Sequence, residues 1–336
     1  MAWQIAVLGA GSWGSALADL LARRGHKVCL WGRRRQLVER IRREGENRRY
    51  LPGFPLCERL RVSSSLEEAL EGVEMVVLAV PASALGEVGR EIRPFLSDRA
   101  YVVSVAKGME VETERLPDEI LLEASLARER CYFLSGPSFA KEVIQRLPTA
   151  VVLAGYEEEG LKEVQRAWST DYFRVYTTLD VKGVLFAGAL KNVMAIAAGI
   201  CQGLGFGLNT QAALITRGLA EMERMGKRLG YPSETLLGLA GVGDLVLTCT
   251  GDLSRNRRVG LELAKGRRLE AVLEELAMVA EGVNTARVVF QLSRRCGVEM
   301  PIVEQVYRIL FEGKDAREAV EELMLRPLKE ERERGG

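Results

Sequence analysis

Apolar residues fall into two textures along the chain. Up to about residue 180, short and nearly unbroken apolar runs alternate with amphipathic stretches. The runs at 4–8 (QIAVL), 27–31 (KVCLW), 75–80 (MVVLAV), 101–106 (YVVSVA), 131–135 (CYFLS), 150–154 (AVVLA) and 173–177 (FRVYT) predict strands. The first five lack a polar face, as parallel strands buried on both sides do. Helical patterns over 14–24, 34–44, 66–71, 84–96 and 138–146 follow most of them. This alternation predicts an open, doubly wound sheet. Beyond residue 180 strand-like runs nearly vanish. Helical periodicity takes over at 181–202, 208–230, 233–240, 256–265, 268–277, 283–297, 301–312 and 315–324. A domain boundary is expected near 178–181, dividing an α/β unit (1–180) from an all-α unit (181–336). The tail KEERERGG reads as a charged, frayed end, and no internal repeat is visible.

The first strand runs into Gly9-Ala10-Gly11-Ser12-Trp13-Gly14 and then a helix. In that context G-x-G-x-x-G reads as a dinucleotide fingerprint, so the N-terminal unit is expected to be Rossmann-type. Gly9 permits the tight turn, Gly11 lets a pyrophosphate approach the backbone, and Gly14 allows close helix–strand packing. The phosphates would lie on the positive helix N-terminus. Nineteen residues after Gly14, where an NAD site wants an acid for the ribose 2′-hydroxyl, stands Arg33. A guanidinium there suits a 2′-phosphate and favours NADP(H). NAD(H) remains possible, because arginine does not repel a free hydroxyl. The alternative is a solvated basic start to helix 34–44.

Composition narrows the classes. The chain has 336 residues, 47% hydrophobic and 28% charged, with formal net charge +1. No general attraction to nucleic acid or membrane is expected. Six scattered cysteines without C-x-x-C fit reduced, mostly buried thiols in a cytoplasm, with no disulfide frame or metal site. The start MAWQIAVLGAG has no basic region before its apolar run, so no signal peptide is expected. The apolar stretch 183–208 has membrane-spanning length. Lys191, Asn192, Gln202 and six glycines within it argue instead for a buried core helix. Arginine outnumbers lysine 37 to 10. The single histidine, His26 in RRGHKV, is expected to be a solvated turn residue. A general acid must then come from Lys, Asp, Glu, Tyr or Cys.

Lys191 is the candidate. In GVLFAGALKNVMAIAAG its helical neighbours are Val184, Ala187, Gly188, Met194, Ala195 and Ala198. None could carry the ammonium to water, and burial would lower its pKa toward the range of proton transfer. The other reading is a lysine that snorkels to the helix edge. Asn192 adds a second polar group. Gly241-Val242-Gly243-Asp244 is a loop ending in an acid that could pair with Lys191 or merely cap a helix. Ser254-Arg255-Asn256-Arg257-Arg258 has a phosphate-binding composition, although three guanidiniums cannot all enter one site. Lys107, after strand 101–106, is either a crevice cation or a surface lysine. Ser138 in Ser135-Gly136-Pro137-Ser138 is either an N-cap or an anion contact.

GAGSWG, VSVAKG, SGPSFA, ALKNV, GLAGVGDL with TCTG, SRNRRVG and AEGVNT occur in this order along essentially the whole chain. Together they resemble the bacterial-type NAD(P)-dependent glycerol-3-phosphate dehydrogenases. The resemblance implies reversible reduction of dihydroxyacetone phosphate to sn-glycerol 3-phosphate, a role in supplying the phospholipid glycerol backbone, and a homodimer. It implies Lys191 as the catalytic lysine. It places Lys107, Gly136, Ser138, Asn192, Asp244, Thr248, Ser254, Arg255 and Asn256 at the substrate. It places Ser12, Trp13, Arg33, Arg34, Tyr50, Ala140, Val279 and Glu281 at the cofactor, with Lys107 and Arg255 touching both ligands. A related hydroxyacid or ketoacid reductase, which would need a carboxylate clamp, and a catalytically silent NADP(H) sensor are the competing readings.

Overall fold

A computed structural model describes residues 2–276, 280–328, 330 and 331. The strands are β1 (Gln4–Leu8), β2 (Lys27–Trp31), β3 (Arg61–Ser63), β4 (Met75–Leu78), β5 (Tyr101–Ser104), β6 (Cys131–Ser135), β7 (Thr149–Gly155) and β8 (Phe173–Thr178). They form one sheet in the order β3-β2-β1-β4-β5-β6-β7-β8. All pairings are parallel except β6 with β7. The reversal of order at β1 and β4 makes this the doubly wound sheet that the alternating pattern predicts.

The continuous apolar runs are explained by burial on both faces. Ile5, Val7, Val28, Leu30, Met75 and Val77 enter one core. Their neighbours Ala6, Leu8, Cys29, Trp31, Val76 and Leu78 enter the other. Because side chains alternate along a strand, neither face has room for a polar stripe.

The helices over the sheet are α1 (Ser12–Arg23), α2 (Arg35–Glu44), α3 (Leu66–Leu70), α4 (Leu85–Ile92), α5 (Pro117–Glu123), α6 (Ala140–Ile144) and α7 (Glu158–Trp168). The second half comprises α8 (Val181–Gly203), α9 (Leu208–Arg228), α10 (Ser233–Leu237), α11 (Asp244–Thr250), α12 (Arg255–Ala264), α13 (Leu269–Leu276), α14 (Glu281–Cys296), α15 (Pro301–Phe311) and α16 (Ala316–Met324). Helix α8 has membrane-spanning length and hydropathy, yet its apolar window is buried throughout by protein. Asp180 starts it, its carboxylate accepting from Gly183 N at 2.9 Å and from Thr235 Oγ1 at 2.5 Å. The same end is tied to the sheet unit by Lys182, 2.9 Å from Asp118 and 2.8 Å from Glu119.

Helix α12 crosses α8 with its main chain nearly touching. A Cβ on Gly199 would lie 1.9 Å from the Arg257 carbonyl oxygen, and one on Gly260 would lie 1.9 Å from that of Ile196. Only glycine at both positions permits the crossing, and it brings the start of α12 beside the middle of α8.

Several elements differ from expectation. Strand β3 has three residues and no apolar run, and α5 and α7 lie outside the segments whose pattern predicts helix. Residues 244–250 are helical, although LVLT has strand-like composition. His26 is no solvated turn residue: it is 8% exposed. Its Nδ1 accepts from Trp3 N at 3.1 Å, and its Nε2 lies 2.9 Å from the Ala167 carbonyl. The turn sits beneath α7, an element the sequence pattern did not reveal.

Candidate active site

Parallel strands deliver their carboxyl ends to one edge, where the ligand crevice of such a sheet lies. Gly9 follows β1 with φ +121°, and its N–H donates to Trp31 O at 3.0 Å. A Cβ on Gly9 would strike Ala79 O at 2.4 Å, and one on Gly14 would strike Gly9 O at 1.9 Å. At Gly11, by contrast, a Cβ would meet nothing within 4 Å. The loop is thus tight against the protein at Gly9 and Gly14 and open at Gly11. That is the cradle a dinucleotide pyrophosphate requires, with Ser12 and Trp13 opening α1 beside it. Arg33 and Arg34 are exposed at the end of β2, and Arg34 Nη1 donates to Tyr50 Oη at 3.1 Å.

Lys107 follows β5, and Gly136, at φ +113°, follows β6. Lys107 Nζ donates to Gly136 O at 2.9 Å and to Asp244 Oδ2 at 2.7 Å. Lys191, from the middle of α8, donates to Asp244 Oδ1 at 2.7 Å and to Thr248 Oγ1 at 2.8 Å. Asp244 opens α11 and Thr248 lies one turn later, so one helical face serves the ammonium twice. One carboxylate is therefore shared by two lysines. An ammonium has three donors. Among the described residues, each lysine retains one N–H for a ligand.

The snorkelling reading of Lys191 fails, since its side chain is only 8% exposed. Burial pushes its pKa down to about 8; the Asp244 carboxylate resists this and the Lys107 charge adds to it. Burial works to raise the Asp244 carboxyl, but the two lysines outweigh it and hold the group below the usual carboxylate range. The expected pairing of Lys191 with Asp244 is present. Lys107 shares the same acid, a contact that nothing in the sequence pattern signals.

Asn192 links the two halves. Its Nδ2 donates to Lys107 O at 2.8 Å and its Oδ1 accepts from Asn256 Nδ2 at 2.9 Å. Asn256 Oδ1 in turn accepts from Gly282 N at 3.0 Å. Ser254 is the N-cap of α12, accepting from Arg257 N at 3.2 Å. The three arginines that follow diverge. Arg257 Nη1 turns to Asp252 at 2.7 Å and Arg258 to Glu275 at 3.3 Å. Arg255 remains on the Glu281 side: part of it reaches solvent, yet the protein packed around it lowers its pKa, and the Glu281 charge opposes the shift. Glu281 Oε1 accepts from Ala82 N at 2.9 Å, while its buried Oε2 has no hydrogen-bond partner. Burial raises this carboxyl, against the Ala82 N–H and Arg255. The Oε2 oxygen lies against Gly108, where an added Cβ would come within 2.4 Å of it. Ser138 is no N-cap; its hydroxyl donates to Gly136 O at 3.0 Å, and Phe139 precedes Ala140 at the start of α6. Val279 lies outside the described residues. No metal-holding cluster of His, Cys, Asp or Glu occurs among the described residues, and the six cysteines are free.

Fold and crevice define a two-domain dehydrogenase of the dinucleotide-binding class. Residues 4–161 match the family model for the N-terminus of NAD-dependent glycerol-3-phosphate dehydrogenase, and residues 180–321 match that for its C-terminus. A protein of Citrifermentans bemidjiense named glycerol-3-phosphate dehydrogenase [NAD(P)+] is 53% identical over 334 residues, covering 98% of this chain and 99% of its own. One of the same name from Geobacter sulfurreducens is 52% identical over 336 residues, covering 99% and 100%. The crystal structure of glycerol-3-phosphate dehydrogenase from Coxiella burnetii superposes with a TM-score of 0.92 at 42% identity, covering 97% of this chain and 99% of that one. The chain belongs to the NAD-dependent glycerol-3-phosphate dehydrogenase family.

Proposed function

We propose that the protein interconverts dihydroxyacetone phosphate and sn-glycerol 3-phosphate with NADP(H) or NAD(H). The observation that carries the mechanism is the buried Lys191 ammonium, paired with Asp244 and retaining one N–H at the crevice. Gly9, Gly11 and Gly14 with Ser12 and Trp13 hold the cofactor pyrophosphate. Arg33, Arg34 and Tyr50 take the adenosine end, Arg33 favouring the 2′-phosphate. Ala140 and Glu281 complete the cofactor side, to which the family resemblance also assigns Val279. The nicotinamide, when bound, supplies hydride to C2 of the ketone.

Lys191 Nζ holds the proton that the developing C2 oxygen takes, and its charge stabilises that oxygen in a water-poor site. Asp244 and Thr248 fix the ammonium, and Lys107 aims its spare N–H at the same region. Arg255, with Asn256 and the cap at Ser254, grips the phosphate, remote from the chemistry, and supplies orientation. Gly136 and Ser138 line the entry. The 1–180 unit binds cofactor and the 181–336 unit carries the catalytic lysine. A cytoplasmic homodimer feeding glycerol phosphate to phospholipid synthesis completes the reading.

Initial rates of NADPH and NADH oxidation with dihydroxyacetone phosphate test the activity. Lys191→Ala should lower kcat by about three orders of magnitude or more while the NADPH Kd stays within about threefold. Near-normal turnover of that variant would overturn the role of Lys191.

A further inference from the structure

Asn47 is fully buried in a stretch, GENRRYLPG, that has no apolar pattern. The segment is closed on itself: Leu56 N donates to Gly45 O at 2.8 Å and Gly53 N to Glu46 Oε1 at 2.7 Å. From this closed loop Asn47 reaches α1 and the glycine turn. Its Nδ2 donates to Ala10 O at 3.0 Å and to Ser15 Oγ at 2.8 Å. Its backbone oxygen accepts from Tyr50 N at 3.2 Å and Leu51 N at 2.8 Å, which shapes the turn presenting Tyr50.

The contact with Ala10 has a geometric consequence. The Ala10 C=O and the Gly11 N–H belong to one planar trans peptide and point in opposite directions. Holding the carbonyl toward Asn47 therefore aims the Gly11 N–H away from it, and because a Cβ added at Gly11 would meet nothing within 4 Å, a ligand can come close to this peptide. The Asn47 Oδ1 is buried without a hydrogen-bond partner. A buried orphan oxygen is costly, and the two Nδ2 hydrogen bonds are what offset that cost.

We propose that Asn47 is a positioning residue for dinucleotide binding. Its amide fixes the Ala10–Gly11 peptide so that the Gly11 N–H meets the cofactor pyrophosphate. This rests on the reading that the glycine turn receives that pyrophosphate. Because the pyrophosphate is common to both cofactors, Asn47 sets affinity without setting the choice between NADPH and NADH, unlike Arg33.

The test uses the full chain. Kd values are read by NADPH and NADH fluorescence and by competition with ADP and with adenosine, for wild type, Asn47→Asp, Asn47→Leu and Gly11→Val. Asn47→Asp keeps the shape but sets a carboxylate against the Ala10 carbonyl; Asn47→Leu removes the donors without burying a charge, and serves if the first variant fails to fold. Both should weaken NADPH, NADH and ADP by a similar factor of about ten or more, with adenosine within about threefold. The kcat at saturating cofactor and the KM for dihydroxyacetone phosphate should stay near wild type. An NADPH Kd within twofold of wild type, or equal losses for ADP and adenosine, would overturn the role of Asn47. If Gly11→Val also left NADPH binding intact, the reading of the glycine turn itself would fall. If Gly11→Val lost binding and the Asn47 variants did not, only the inference about Asn47 would.

Discussion

Replacing Asp244 with Asn removes the carboxylate shared by the buried Lys191 ammonium and the half-buried Lys107 ammonium. The Asp244 carboxylate lies 2.7 Å from the nitrogen of each lysine and is itself 2% exposed. With charge centres about 4 Å apart and an effective dielectric near 20, one such attraction is worth about 4 kcal/mol, or roughly three pK units. Local relaxation and water entry reduce that figure, so the Lys191 pKa should fall by about two to three units from its value of about 8. Ketone reduction needs the protonated amine. The kcat/KM profile of the wild type should therefore fall as pH rises through about 8, and that limb should move to lower pH in Asp244→Asn. At pH near 7.5 the variant would lose about a hundredfold in kcat/KM from protonation alone. Lys107→Met gives a control of opposite sign: Lys107 depresses Lys191, so its removal should move the limb upward. The assay is kcat/KM for dihydroxyacetone phosphate at saturating NADPH from about pH 5 to 10, with thermal melts to confirm folding. Limbs unmoved in both variants, or moved in the same direction, would refute the shared-carboxylate account.

Other expectations concern separate parts of the molecule. Arg33→Asp should shift preference from NADPH toward NADH, read as the ratio of kcat/KM values; an unchanged ratio would remove the 2′-phosphate assignment. Burial lowers the His26 pKa, with the Ala167 carbonyl opposing. Below the ordinary value of 6.5 the unfolded chain therefore binds more protons, and stability should decline as pH drops through that region. Urea melts at pH 7.5 and 5.5 should show this decline, and His26→Gln should flatten it; an equal slope in the variant would acquit the histidine. Gly260→Ala should destabilise the fold by about 3 kcal/mol or more, because the added methyl meets a backbone oxygen and no movable side chain. A melt indistinguishable from wild type would mean that the two helices can separate freely.

Physical reasons decide what could be read in advance. The strands at 4–8, 27–31 and 131–135 were legible because burial on both faces leaves an unbroken apolar signature. Strand β3 carried none, being three residues held by pairing to β2 alone. The helix Asp244–Thr250 lay outside the predicted helical segments, because its β-branched residues Val246, Thr248 and Thr250 give it a weak local helical signal. Lys191 stood out as a charge surrounded by small apolar neighbours. Its sharing of Asp244 with Lys107 was hidden, because those partners lie 137 residues apart in different domains. Asn47 was hidden for a different reason: a polar residue buried for its hydrogen bonds has no period to betray it.

The crossing of α8 and α12 makes the crevice a fixed gauge. Where main chains meet without side chains between them, no rotamer change can slide one helix along the other. The main-chain positions from which the amine and the guanidinium extend are then held at one separation by backbone contact. On the proposed function, a substrate with one carbon more or fewer between its carbonyl and its phosphate would find one end misplaced, and the scaffold could not stretch to meet it.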